Sequence, residues 1–191
     1  AIACGARLAD RCMAVSSLAG VGPFGEPDLD FLEGMGPENV EEFGAALEGE
    51  EALRAWMEEH AEPYRTIDAV DLASALGGLV PEKDVIALND QGLAEVWASS
   101  MRRCFTNGWD GWMDDDIAFS RDWGFDPSEM RTPVTVCQGV LDLMVPFAHG
   151  EWLLKHIPSS VPRLESGHGH LSLVADKRPE IIQDLTSHIP Q

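Results

Sequence analysis

Two short segments of the chain hold side chains that can pass a proton between them. The segment Gln138-Gly139-Val140-Leu141-Asp142-Leu143-Met144-Val145-Pro146 carries one carboxylate, and Ser166-Gly167-His168-Gly169-His170-Leu171-Ser172 carries two imidazoles. A carboxylate that accepts a hydrogen bond from one imidazole nitrogen fixes the tautomer and stabilises the imidazolium that forms during proton transfer. Each residue alone is a weak signal. A loop Asp is usually a turn former or helix cap, and a loop His is usually a plain surface residue. Position gives the pair its weight. Both segments follow runs that read as strands, a buried one over residues 134–137 and another over 161–165. In open parallel sheets functional groups gather beyond the carboxyl ends of the strands. His168 competes with His170, because residues two apart in an extended segment point the same way. His168-x-His170, with His149 and His156 on the helix after the Asp142 loop, raises a metal site as well. Such a site needs three or four convergent ligands, and the spacing does not favour it.

The surrounding elements must place these two loops side by side. Residues 1–9 are rich in Ala, the best helix former, and residues 12–20 form a short apolar run closed by Gly20 and Gly22. Helix followed by buried strand, centred on residues 13–18, is the pattern of a parallel sheet. That pattern returns after Pro133: a strand over 134–137, a helix from Pro146 to Ile157 with Trp152, Leu153 and Ile157 inward, a strand over 161–165, and a helix over 172–189 broken at Pro179. Between Glu26 and Asp126 the apolar spacing is helical instead. Pro37 opens a helix carrying Val40, Phe43 and Leu47, and Leu53, Trp56 and Met57 lie on a second. Thr66 is expected to cap a third, with Ile67, Val70 and Leu76. Pro81 opens another. Asp90 is expected to cap the longest, with Leu93, Val96, Trp97, Met101, Cys104 and Phe105 on one side and Gly108 at its end. A further helix runs from Trp109 to Phe119, and Asp126-Pro127-Ser128-Glu129 reads as a capped turn. The expected organisation is a core of residues 1–23 and 131–191, interrupted by an all-helical insert over 24–130.

The composition bounds what such a chain can do. With 191 residues, 45% of them hydrophobic, there is enough apolar surface for one domain with an insert. No apolar run approaches the roughly 18 residues of a membrane span. The chain carries 33 acidic and 13 basic residues, net charge -20, so nucleic acid is excluded as a partner. The segment from Glu26 to Asp126 holds 25 of the acidic and 6 of the basic residues, which marks the insert as a separate solvated layer. Asp114-Asp115-Asp116 reads as a solvated helix end, with attraction of a substrate amine as the competing reading. Cys4, Cys12, Cys104 and Cys137 have no C-x-x-C spacing and read as reduced thiols of a cytoplasmic protein. No signal peptide is visible, and the first residues read as the interior of a helix.

Two motifs carry a family resemblance: G-x-x-D-x-M-V-P from Gly139 to Pro146, and G-H-L-S from Gly169 to Ser172, with His170 lying 28 residues after Asp142. Together with Trp123-Gly124-Phe125-Asp126 and the helical insert, the chain resembles the C-terminal half of the α/β-hydrolase family, in a proline-iminopeptidase-like branch. The resemblance implies a partial α/β-hydrolase fold of three parallel strands, flanking helices and a large helical cap over residues 24–130. It implies Asp142 as the acid and His170 as the base of a Ser-His-Asp triad, with His168 at a position where the family varies. Trp109, Trp112, Trp123, Met113 and Met144 either line a pocket under the cap or pack its core. The implied reaction is hydrolysis of an ester or amide of a small molecule or peptide, with no metal and no organic cofactor.

The family orders its triad as nucleophile, acid, His, with the nucleophile in G-x-S-x-G. The sequence contains no such pattern: Ser16 and Ser17 fall inside a strand, and Ser99-Ser100 inside a helix. The nucleophile and the oxyanion-hole donors are therefore expected upstream of Ala1. The strand at residues 13–18 is then expected to have an open edge, covered by a complementing N-terminal piece or a second copy of the chain. The competing reading is a non-catalytic fragment or binding module.

Overall fold

A computed structural model describes residues 1–90 and 92–189 of the chain. Its core elements are α1 (Ile2–Arg7), β1 (Val15–Leu18), and, after a helical segment, β2 (Val134–Gly139), α8 (Phe147–His156), β3 (Ser160–Glu165) and α9 (His170–Thr186). The helical segment holds α2 (Pro37–Glu48), α3 (Glu50–His60), α4 (Ala69–Ala75), α5 (Glu82–Asp90), α6 (Leu93–Cys104) and α7 (Asp110–Phe119). The three strands are parallel in the order β1-β2-β3. Central β2 is buried along its whole length. Its alternation sends Val134 and Val136 to one face, against Ile2 of α1 and Trp152, Leu153 and Ile157 around α8. On the other face, Cys137 meets Leu173 and Ile181 of α9, and the Thr135 hydroxyl donates to Asp184 at 2.8 Å.

β1 is shorter than the sequence pattern suggests. Val15 N–H donates to the Pro133 carbonyl, and the next rung toward Met13 would need an N–H from Pro133, which proline lacks. Met13 accordingly lies outside the strand and is exposed. Val15 and Ala19 bond toward β2, so in a parallel ladder the N–H and C=O of Ser16 and Leu18 face away from it. Among the described residues no strand pairs with that edge.

Four helix expectations change. The cap of α4 is Asp68, not Thr66: its Oδ1 accepts from Val70 N–H at 2.8 Å and Asp71 N–H at 2.9 Å, while Thr66 N–H closes the preceding turn on Pro63. Val70 is then turned into solvent and Leu72 is buried. Asp90 ends α5, and α6 starts from Gly92 in the left-handed region at φ 64°, a conformation glycine takes without penalty. On α6, Trp97 and Met101 pack inward as expected, whereas Val96 and Cys104 are exposed. Finally, α9 begins at His170, two residues earlier than expected, and runs through Pro179. Pro179 sits on the exposed face, where water can serve the carbonyl its missing N–H leaves free.

Among the described residues, 24–130 contain helices and turns and no strand. The interior of this segment divides into three clusters, the smallest of them Phe31, Met35 and Phe43. A second joins Leu53, Met57, Phe105 and Met113 with Trp56 and Trp112. The third joins Ile67, Leu72, Leu76, Leu88 and Ala98 with Leu171 from α9. The ends of the segment pack on the sheet layer instead: Leu29, Trp123, Phe125 and Met130 lie against the α1–α8 core. Fully buried His149 anchors the first of these ends. Its Nδ1 accepts from Gly22 N–H at 3.0 Å, so Nε2 carries the proton and donates to the Phe31 carbonyl at 3.0 Å. Burial lowers its pKa and keeps it neutral.

Candidate active site

The Asp142 and His170 loops continue the pairing of β2 with β3 beyond the sheet. Val140 N–H donates to the Glu165 carbonyl at 3.0 Å, and Leu141 N–H to the His168 carbonyl at 2.9 Å. The His168 carbonyl is turned so far inward that a Cβ on Gly139 would lie 2.4 Å from its oxygen. Only a residue without a side chain fits there, and the obstacle is backbone that cannot swing aside. Gly139→Ala is therefore expected to cost about 1–3 kcal/mol in urea unfolding and to loosen the His170 loop. Unchanged stability would show that the two loops are not held this closely.

Within this frame Asp142 Oδ2 lies 2.9 Å from His170 Nδ1. Asp142 is 3% exposed, and each of its partners donates to it. Oδ1 accepts from Met144 N–H at 2.9 Å and Val145 N–H at 2.8 Å, and Oδ2 accepts from Gln138 Nε2 at 3.3 Å as well as from the imidazole. The carboxylate acts only as acceptor, so His170 Nδ1 carries the proton and Nε2 presents a lone pair. Gln138, fully buried at the end of β2, also donates to the Val145 carbonyl at 2.8 Å and so ties the turn to the strand. From the other side, Gly36 N–H donates to the Leu143 carbonyl at 2.7 Å and Asn39 Nδ2 to the Met144 carbonyl at 3.0 Å. The start of α2 thus rests on the Asp142 loop.

His168 turns elsewhere: its Nε2 is 3.2 Å from Asp176, and its Nδ1 is 3.9 Å from Glu165. His156 stacks on Trp152, and His149 is spent in the core. Among the described residues no three His, Cys, Asp or Glu side chains converge as a metal site.

His170 lines an open cleft of about 1190 Å³ that runs from β1 and the first residues of α1 to α7. Of the five residues read as either pocket lining or core packing, Trp112, Trp123 and Met144 line it, Met113 is buried in the insert core and Trp109 packs beside it. The Asp114-Asp115-Asp116 run also differs from its sequence reading. Asp114 and Asp115 are exposed, but Asp116 is 3% exposed and shares a hydrogen bond with Glu42, itself buried on α2. Burial first, then the Glu42 charge, pushes the Asp116 carboxyl up to about 9. Burial also raises Glu42, offset by its bonds from Asp116 and from Trp112 Nε1. Ser16 and Ser17 stay on β1, with Ser16 Oγ 3.7 Å from Cys137 Sγ, and no hydroxyl or thiol among the described residues hydrogen-bonds His170.

Sequence reasoning missed three residues at this site. Gln138 had a visible signal, a lone amide at the end of an otherwise apolar strand. Glu42 on α2 had none, nor had Asp84 on α5, which accepts from Leu171 and Ser172 N–H beside His170, because both reach the site from helices distant in sequence.

No family model matches the chain, and no curated protein matches it. Solved structures do. An α/β-hydrolase fold protein from Nakamurella multipartita is 18% identical with a TM-score of 0.54, over 96% of this chain and 63% of that one. An α/β-hydrolase fold protein from Chitinophaga pinensis is also 18% identical, with a TM-score of 0.41 over 65% of this chain and 50% of that one. The chain thus spans half to just under two thirds of the length of these structures. The fold is a partial α/β-hydrolase fold, with three parallel strands, flanking helices and a large helical insert. No helix among the described residues is long and apolar enough to cross a membrane.

Proposed function

We propose that this chain supplies the acid and the base of a serine-type α/β hydrolase, in a proline-iminopeptidase-like branch, that cleaves an ester or amide of a small molecule or peptide. The observation that carries the reading is the 2.9 Å contact of His170 Nδ1 with a buried, acceptor-only Asp142 at the ends of adjacent parallel strands. The nucleophile is a serine on a segment N-terminal to residue 1, whose strand pairs with the open edge of β1. His170 Nε2 takes the serine proton as Oγ attacks the substrate carbonyl, and Asp142 stabilises the imidazolium. The imidazolium then protonates the leaving alcohol or amine, and a water activated by the same nitrogen hydrolyses the acyl-enzyme. Residues 24–130 cover the site as a cap, with the sheet core formed by 1–23 and 131–191. The cleft wall carries Asp114, Asp115, Asp122 and the Glu42–Asp116 pair, which shares a proton, against the cation Arg121, a net negative field that favours neutral or cationic substrates over anionic ones. The four free thiols fit a reducing, cytoplasmic setting.

The test is to compare this chain with a form extended through the coding sequence ahead of Ala1, using a p-nitrophenyl ester and a serine-directed fluorophosphonate. Turnover and labelling are expected only in the extended form, on the serine of a G-x-S-x-G. The competing reading, a binding module without catalysis, is favoured by the lack of that motif in the 191 residues. It wins if the extended form neither labels nor turns over.

A further inference from the structure

His170 is the first residue of α9, and its place depends on how that helix begins. Gly169 stands at the cap position and has no side chain to serve the first amides. The acceptor comes from another element. Asp84, on α5 of the cap and fully buried, takes Leu171 N–H on Oδ2 at 3.0 Å and Ser172 N–H on Oδ1 at 2.9 Å. It also accepts from the Ser172 hydroxyl, whose oxygen in turn accepts from Gly169 N–H at 2.9 Å. The residues on either side of His170 are thus held through one carboxylate. The approach is close enough that a Cβ on Gly169 would lie 2.6 Å from both Asp84 oxygens. Leu171 drives the same contact from the apolar side: it is fully buried among Leu72, Leu76 and Leu88 of the cap.

Gly169, Leu171 and Ser172 are therefore all spent on docking α9 to the cap. We infer that Asp84 is a positioning residue for His170: a buried carboxylate of the cap that fixes the first turn of α9 and so aims the imidazole between Asp142 and the cleft. An anionic group at a helix N-terminus is favoured by the free amides and the helix dipole. The cap in this arrangement is part of the catalytic base's mounting. The inference rests on the reading of His170 as the base.

Asp84→Asn keeps the shape but turns an amide N–H toward amides that also donate. Two readouts separate positioning from mere stability in variants that remain folded by circular dichroism. In the 191-residue chain, the His170 Nδ1–H proton resonance is expected to broaden by exchange in Asp84→Asn. It is expected to persist in Lys83→Ala, which removes only the partly exposed 3.1 Å ion pair of α5 with Asp176. In a nucleophile-bearing form, kcat is expected to fall about 10²-fold, the cost of displacing a catalytic group by roughly 1 Å, with KM changed less than about threefold. Ser172→Ala, which leaves both backbone bonds to Asp84, is expected to lose less, and it replaces Asp84→Asn if that variant does not fold. Asp142→Asn is the reference that removes the Nδ1–H bond directly. If Asp142→Asn abolishes the resonance and kcat while Asp84→Asn or its replacement changes neither, Asp84 is not a positioning residue. If Asp142→Asn leaves kcat intact, the reading of His170 as the base fails instead.

Discussion

Asp142→Asn is expected to lower kcat about 10⁴-fold in a nucleophile-bearing form of the protein, with KM changed only a few-fold, the size of loss typical when a triad imidazole takes the wrong tautomer. Little shape is lost. The Asn carbonyl can still accept from Met144 and Val145, which now hold the turn through two bonds of 2.9 and 2.8 Å. The other arm becomes a donor, facing His170 Nδ1 at 2.9 Å and Gln138 Nε2 at 3.3 Å. The imidazole relieves that clash by moving its proton to Nε2. A protonated Nε2 cannot take the serine proton, and there is no carboxylate to stabilise an imidazolium. The defect therefore falls on the chemical step and not on substrate binding. Steady-state kinetics on a p-nitrophenyl ester checks it, and a loss of less than tenfold in kcat would show that Asp142 is not the acid of this site.

The sheet and this pair were legible because both rest on local pattern. An apolar β-branched run marks β2, the mixed run Ser160–Glu165 follows as the exposed edge strand β3, and the Asp and His sit just beyond them. What local pattern hides is contact between distant elements. Asp84 looks like any acidic residue in the first turn of a helix, yet it meets Leu171 and Ser172, 87 and 88 residues further along the chain. The strand limits at β1 follow from Pro133, just ahead of β2, which no reading of residues 12–20 by themselves could use. Caps fail for a different reason: Thr66 and Asp68 are both good capping types two residues apart, and the choice turns on the preceding turn at Pro63. Asp116 was a misreading with a signal available. It lies three residues after buried Met113 and four after Trp112, on the same helical face, while its two acidic neighbours point outward.

That buried acid gives the second large effect. Asp116→Asn is expected to stabilise the protein at alkaline pH and to flatten the fall of stability with pH. Asp116 Oδ2 has no hydrogen-bond partner, and its carboxyl is pushed up to about 9 against a usual value of 3.8, through burial and then the adjacent Glu42 charge. The folded state therefore keeps a proton that the unfolded chain has released. The stability tied to that proton is fully present below about pH 4 and is lost progressively as pH rises toward about 9, at up to about 1.4 kcal/mol per pH unit. An Asn amide donates to Glu42 as the carboxylic acid does, and it has no proton to lose. Trp112 Nε1 still donates to Glu42, so the joint between α2 and α7 keeps its bonds. Urea unfolding of wild type and Asp116→Asn between about pH 5 and 9 isolates the Asp116–Glu42 pair, since the titrating groups outside it cancel in the difference. The two curves are expected to diverge with rising pH, with the variant ahead by more than about 1 kcal/mol at pH 8, in line with the gain from replacing a buried charge by a neutral isostere. Parallel curves would mean that Asp116 is ionised in its buried site and that the Glu42 pair is held together by something other than a shared proton.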